Sequence, residues 1–191
     1  MFWGGEAREV RPGEVLITGS EQGTSGYRIA YVTKLAPDGS SRRTALLSAS
    51  EDLTLSSTAA TADGGYLSLG SIGDHFWLVR LGSDLTVLSE KLYPNVSAGK
   101  TVRIEPTSDG GFAVYASTYQ TDRRWDLLVL QLDANGNFSG CPPTTHSSQA
   151  DYVDAAVQPR TVVVYDPFIA QVPTNRDPAA TSTPPLNVCG P

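Results

Sequence analysis

Apolar residues along this chain fall into short runs of two kinds. In the first kind, as in Tyr66-Leu67-Ser68-Leu69, Leu67 and Leu69 alternate with Tyr66 and Ser68. That period of two marks a strand with one favoured face. In the second kind every position is apolar, as in Phe76 to Val79 and Leu127 to Leu130. Such a run predicts a central strand covered on both sides. Five or six residues between turns are too few for a helix, so both kinds are read as strands.

The runs recur in a fixed order. Thr61-Ala62-Asp63-Gly64-Gly65-Tyr66-Leu67-Ser68-Leu69-Gly70-Ser71 is echoed by Thr107-Ser108-Asp109-Gly110-Gly111-Phe112-Ala113-Val114-Tyr115-Ala116-Ser117, an offset of 109 − 63 = 46 residues. Each segment leads into a second apolar run, Phe76–Leu81 or Leu127–Leu132, and then into a turn, Gly82-Ser83-Asp84 or Asp133-Ala134-Asn135-Gly136. An earlier pass is less regular: Val15–Ser20, then Ile29–Leu35 running into Ala36-Pro37-Asp38-Gly39, with Leu35 and Leu81 again 46 apart. Ala156–Tyr165 has the shape of one more leading hairpin, with Pro159-Arg160 in place of the turn. The Asp-Gly pairs between runs supply the positive φ that tight hairpins demand. A period in the 40s with several short strands per unit is the size of a propeller blade.

The set Asp-Gly-Gly-aromatic-x-x-x-Gly-Ser, an apolar run carrying Trp77, and Leu132-Asp133-x-Asn135-Gly136-Asn137 resembles the repeats of bacterial cell-surface β-propeller-like proteins. Residues 61–93 and 107–141 match best and 12–50 weakly; the double glycine is also distantly similar to kelch-type units. Asp63-Gly64-Gly65 and Asp109-Gly110-Gly111 resemble the Asp box of sialidase propellers as well, without its trailing tryptophan. Ala116 departs from the pattern where Gly70 keeps it, and Pro12-Gly13-Glu14 replaces the first Asp-Gly-Gly. The resemblance implies an all-β fold, a partial β-propeller of about three to three and a half four-stranded blades. The expected division is repeats over 1–141 (about 12–60, 61–106 and 107–141), then a degenerate fourth hairpin at 151–166 within a Pro/Thr-rich tail over 142–191. Propellers close with roughly four to eight blades. The expectation is therefore a piece of a longer exported protein, or closure with help from a partner or from the segment after Pro142 returning as an extra strand.

Composition narrows the function classes. Charged residues make up 18% of the chain, with 18 glycines and 13 prolines, a mix suited to short strands and many turns. The formal charge of −6 would repel a phosphate backbone, and no basic run exceeds Arg42-Arg43 or Arg123-Arg124, which argues against nucleic acid. No stretch approaches the roughly 18 apolar residues of a membrane helix. Met1–Glu6 lacks the order of a signal peptide. The two cysteines, Cys141 and Cys189, allow one bond. In an extracellular or cell-surface chain that bond is expected to form; two free thiols in a cytoplasmic chain are the alternative.

Candidate chemistry is sparse. His75 opens an apolar strand and His146 sits in a Thr/Ser-rich loop; no hydrolase elbow, zinc-binding His pair or phosphate loop is present. Asp122 and Asp126 flank Arg123-Arg124-Trp125, a composition seen in sugar sites, although such loop carboxylates are more often solvated ion pairs. Asp133, Asn135 and Asn137 are spaced as a calcium loop begins, but the glycine is early and Thr144 replaces the closing glutamate, so a hairpin turn is read. Neither metal nor cofactor is expected. The loops Glu21–Gly26 and Tyr119–Arg124 are read as equivalent, between the first and second strands of their units. Tyr119, Arg123, Arg124 and Trp125 are of the types enriched at binding hot spots. The function expected is a non-enzymatic module that binds a protein or carbohydrate, or acts as a spacer. The alternative is the propeller portion of a glycoside-active enzyme.

Overall fold

A computed structural model describes residues 2–97, 102–119 and 125–156. The fold is all-β, with no helix among the described residues. There, thirteen strands form three antiparallel sheets, none closed on itself. The first sheet runs β1 (Phe2–Arg11), β2 (Glu14–Gln22), β3 (Arg28–Leu35) and β4 (Ser41–Ser48). The second runs β5 (Leu53–Ala60), β6 (Tyr66–Ile72), β7 (His75–Leu81) and β8 (Val87–Ser97). The third holds β9 (Val102–Pro106), β10 (Phe112–Tyr119) and β11 (Trp125–Leu132). Strands consecutive in the chain are neighbours in each sheet, as short hairpin turns require.

The second sheet lies between the other two. Tyr66, Trp77, Val79 and Leu81 share one core with Leu16, Ala30, Val32, Ala45 and Leu47 of the first sheet. Leu67, Leu69, Phe76, Leu78 and Tyr93 share another with Ile104, Phe112, Val114, Leu128 and Leu132 of the third. Alternate side chains of β7 thus enter different cores, which is why its sequence is apolar at every position. Each fully buried side chain of this size contributes about 1.5–3 kcal/mol. The same reading fails for β11: Leu128 and Leu132 are buried against the second sheet, but Leu127 and Val129 are 74% and 56% exposed. Only one face of the third sheet is covered among the described residues.

Each Asp-Gly-Gly bend lies inside a sheet, joining its first and second strands, because a leading strand (β5 or β9) precedes it. The two bends are superposable in their bonding. Gly64 and Gly110 take φ of 91° and 85°. Thr61 and Thr107 accept at their carbonyls from Gly64 and Gly110 and donate their own N–H to the Gly65 and Gly111 carbonyls. A Cβ on Gly65 or Gly111 would lie 2.4 or 2.3 Å from the carbonyl oxygen of Leu81 or Leu132, so neither position admits a side chain.

Gly70 has a different origin. β5 carries a register shift between Leu55 and Ser57, opposite Gly70, and a Cβ there would fall 1.8 Å from the Thr54 carbonyl oxygen. β1 bulges one position along, between Trp3 and Gly5 opposite Ser20 and Gly19. The pairing of β9 with β10 carries no such shift, and Ala116 there faces Val102. The departure from the repeat at Ala116 follows from the straighter leading strand.

The chain after Pro142 returns over the outer edges of the stack. β12 (Thr144–Thr145) pairs with β8, and β13 (Gln149–Ala156) pairs with β4 along its whole length, from Gln149↔Ser48 to Ala156↔Ser41. These strands occupy two edges that would otherwise offer unpaired backbone groups. The expected fourth hairpin therefore begins as a fifth strand of the first sheet; residues 157–166 lie outside the described residues. Cys141 is buried in the core between the second and third sheets, and Cys189 lies outside the described residues.

Candidate functional site

The hairpin turns of each sheet divide between two ends of the stack. At one end lie the turns carrying Asp38, Asp63, Asp84, Asp109 and Asp133. Each of these carboxylates is held below its ordinary range, first by hydrogen bonds from within its own turn and, at Asp63, also by the Arg80 guanidinium. Asp133 shows the pattern fully: Oδ1 accepts the N–H groups of Asn137 and Asn135, each at 2.8 Å, and Oδ2 accepts Asn137 Nδ2 at 2.9 Å. Both oxygens are engaged by the turn itself, the arrangement of an Asx turn. Among the described residues no group of three acidic, His or Cys side chains is placed to hold a metal ion.

Cations at this end bind each sheet to the next. Lys34, next to last in β3, donates to Tyr66 Oη at 2.9 Å and to the Ser83 carbonyl at 3.0 Å in the second sheet. Arg80, next to last in β7, donates to the Ala134 carbonyl at 3.2 Å beyond the third sheet's last strand. Lys34 and Arg80 are 46 residues apart, the repeat offset. A second pair acts from the fourth strands: Arg43 Nε donates to the Asp84 carbonyl at 2.7 Å, and Lys91 Nζ to the Asn135 carbonyl at 2.6 Å. Sequence reasoning missed these residues, although the spacing of Lys34 and Arg80 carried the signal.

Glu14 forms the centre of the first seam. Its carboxylate accepts from Arg11 (2.6 Å), Lys34 (2.6 Å) and Tyr66 Oη (2.5 Å). Burial pushes this carboxyl up, but the hydrogen bonds from Lys34, Tyr66 and Arg11 outweigh it and hold the group at about 2. Arg11 continues onto the carbonyls of Thr61 (3.1 Å) and Gly65 (2.9 Å), so the Pro12-Gly13 turn of the first sheet caps the Asp-Gly-Gly turn of the second.

The three leading strands converge on a second ionic group. Arg8 of β1 pairs with Glu105 of β9 and donates to the Ile104 carbonyl at 3.0 Å. Glu105 also accepts from Arg103 Nε at 2.6 Å, and Glu6 accepts from Ser57 Oγ of β5 at 2.6 Å. Burial raises the Glu105 carboxyl, and the bonds from Arg8 and Arg103 bring it below the usual range. A carboxylate held ionised in this way is a poor proton donor near neutral pH.

A third group, also missed, surrounds Glu90, which is buried. Its Oε2 accepts Trp77 Nε1 at 3.0 Å, while Oε1 accepts the Ser148 N–H at 2.9 Å and Ser148 Oγ at 2.8 Å. His146 stands edge-on to Trp77 with ring centroids 6.4 Å apart, and its Nε2 is buried without a hydrogen-bond partner among the described residues. Glu90 thereby fastens the returning tail to the second sheet. His75 opens β7 and is exposed.

The predicted binding residues lie at the opposite end of the stack. Tyr119 ends β10 and Trp125 opens β11, directly paired in register. Arg123, Arg124 and Asp122 lie outside the described residues. The corresponding turn of the first sheet, Gly23 to Tyr27, closes with Gly23 N–H on the Tyr27 carbonyl at 2.9 Å and leaves Tyr27 exposed. Both loops join second and third strands of their sheets rather than first and second, because each leading strand adds one to the count.

Comparison with known protein families, with curated proteins and with solved structures finds no match to this chain.

Proposed function

We propose that this chain is a β-propeller-type recognition or spacer module, acting without catalysis outside the cell or at its surface. On this reading the three sheets are blades, and the protein or glycan ligand is taken by the loop end that carries Tyr119 and Trp125. The observation that carries the reading is the repeated seam. Equivalent cations, Lys34 and Arg80, reach equivalent turns of the following sheet across two cores. Such locked stacking makes a rigid frame, and rigid frames present loops for recognition. The charged side chains that the frame brings together are spent on one another, Glu14 on Arg11 and Lys34 and Glu105 on Arg8 and Arg103. Neither of these two groups leaves an acid–base pair facing a cleft with one partner to spare.

The test is a glycan array together with a panel of reporter glycosides, using the wild type, Trp125→Ala and Arg123→Ala/Arg124→Ala. Binding that falls at least tenfold in the variants, with unchanged melting and no turnover, supports the module. Turnover by the wild type that is lost in Asp122→Asn would replace it with a glycoside-active enzyme.

A further inference from the structure

The two outward faces of the stack are the two halves of a seam that the molecule already builds twice. On the third sheet, Ala113, Tyr115, Leu127 and Val129 face away from the second sheet. By the repeat they occupy the places of Leu67, Leu69, Phe76 and Leu78, all 2% exposed or less against the third sheet. Tyr115, Leu127 and Val129 are instead 41%, 74% and 56% exposed. On the first sheet, Val15, Tyr31, Thr33 and Leu35 alternate with the residues buried against the second sheet, Thr33 being already buried and bonded to Thr44 Oγ1 at 2.9 Å. They occupy the places of Tyr66, Trp77, Val79 and Leu81, which the second sheet buries completely against the first. Ile17, Ile29 and Leu46 extend that face, each half-buried.

We infer that the chain pairs with a second copy of itself, head to tail, the β10–β11 face of each copy seated on the β2–β3 face of the other. Like faces do not meet in this fold. At both existing seams the face of one kind packs against the face of the other kind, so the free face of the third sheet fits a first sheet and not another third sheet. Head-to-tail contacts make a filament unless the rotation closes. Two copies bring six sheets, within the roughly four to eight that close a propeller. The polar latch has its parts in place as well. Gln131 stands where Arg80 and Lys34 stand, and the Ala36–Gly39 turn stands where the Gly82–Asp84 turn receives Lys34. The contact between the faces rests on the stacked sheets alone; its closure into a ring rests on the propeller-type reading.

Sedimentation equilibrium of the full chain, from micromolar to submillimolar concentration, tests this. The expected result is twice the protomer mass for the wild type. Leu127→Asp on one face and Ile17→Lys on the other should each bring it to one protomer. Leu127 is largely exposed in the protomer, so Leu127→Asp should melt at the temperature of the wild-type monomer. A wild-type monomer at every concentration would overturn the inference. A dimer indifferent to Leu127→Asp would overturn it too, and assemblies that grow without limit would overturn the closed pair. Loss of ligand binding in the Trp125→Ala variant leaves the mass unchanged, so failure of the recognition reading is seen separately.

Discussion

Replacing Glu14 by glutamine tests how much of the first seam is electrostatic. The glutamine side chain keeps the shape and an acceptor for Lys34 and Tyr66, so the substitution removes charge more than geometry. The folded protein holds this carboxyl at about 2 against an ordinary 4.5. At roughly 1.36 kcal/mol per unit, that difference sets a ceiling of about 3 kcal/mol. The side chain retains 18% of its surface in contact with solvent, so part of the interaction is screened, and the expected loss at neutral pH is about 1.5–2 kcal/mol. Because the folded value is depressed, the stabilisation is whole above 4.5 and fades as pH falls toward 2, where the folded carboxyl also protonates. The gap between wild type and Glu14→Gln should therefore narrow by about 1 kcal/mol between about pH 4.5 and pH 3.5. Other carboxylates titrate in both proteins and cancel in the difference. Urea unfolding followed by the fluorescence of Trp77, which is fully buried, reads the gap directly. A gap that stays constant with pH, or no gap near neutrality, would refute the assignment of Glu14 as the charge that organises the first sheet's side of this seam.

The bulge opposite Gly70 predicts that Gly70→Ala costs about 3 kcal/mol or more in urea unfolding, because the added carbon would sit 1.8 Å from a backbone oxygen. The equivalent Ala116→Gly should cost about 1 kcal/mol or less; equal losses would show that the bulge is not the reason for glycine. Glu90→Ala leaves the buried Trp77 N–H without its acceptor, a loss of about 1–3 kcal/mol. It should also open residues 142–149 to limited proteolysis, and an unchanged digestion pattern would show that Glu90 does not hold the tail. Thiol titration of unfolded, unreduced protein should find no reactive cysteine, and reduction should lower stability by roughly 4 kcal/mol on the chain-entropy model. Two titrating thiols would remove the Cys141–Cys189 bond and the best support for an extracellular site.

The strands and their pairing were legible because they rest on local chemistry. Asp63-Gly64-Gly65 and Asp109-Gly110-Gly111 announce bends that only glycine fits, and the unbroken apolar run of β7 announces a strand with two covered faces. The phase of the repeat was not legible. The leading strands β1, β5 and β9 span Phe2–Arg11, Leu53–Ala60 and Val102–Pro106 and share no motif: β1 and β5 are bulged, and β1 and β9 carry charged residues. None of the three carries the Asp-Gly-Gly signature, and counting from that bend therefore starts each unit one strand late. The segment after Pro142 does return as an extra strand, as expected, but the sheet edge it joins was not legible. β13 reads Gln-Ala-Asp-Tyr-Val-Asp-Ala-Ala, and its backbone pairing with β4 needs little from its side chains beyond Tyr152 and Asp154.

Arg11, Glu14 and Lys34 lie at one seam but are scattered along the chain, and each alone looks like a solvated surface charge. Their meaning depends on a neighbour in another sheet, Tyr66, whose hydroxyl joins Glu14 and Lys34 while its ring lies beneath the Arg11 guanidinium at 5.2 Å. An aromatic directly after the double glycine is thus more than a strand residue. It places a polar tip where the second sheet meets the charged group of the first. Phe112 fills the same place in the third sheet without a hydroxyl. There the bond is carried instead by Arg80 and Lys91 reaching to the turn after β11, with Tyr93 donating to the Gly136 carbonyl at 2.7 Å. The two seams therefore share geometry but not chemistry. The first should weaken in acid as Glu14 protonates. The second rests on backbone carbonyls and should hold until the fold itself is lost.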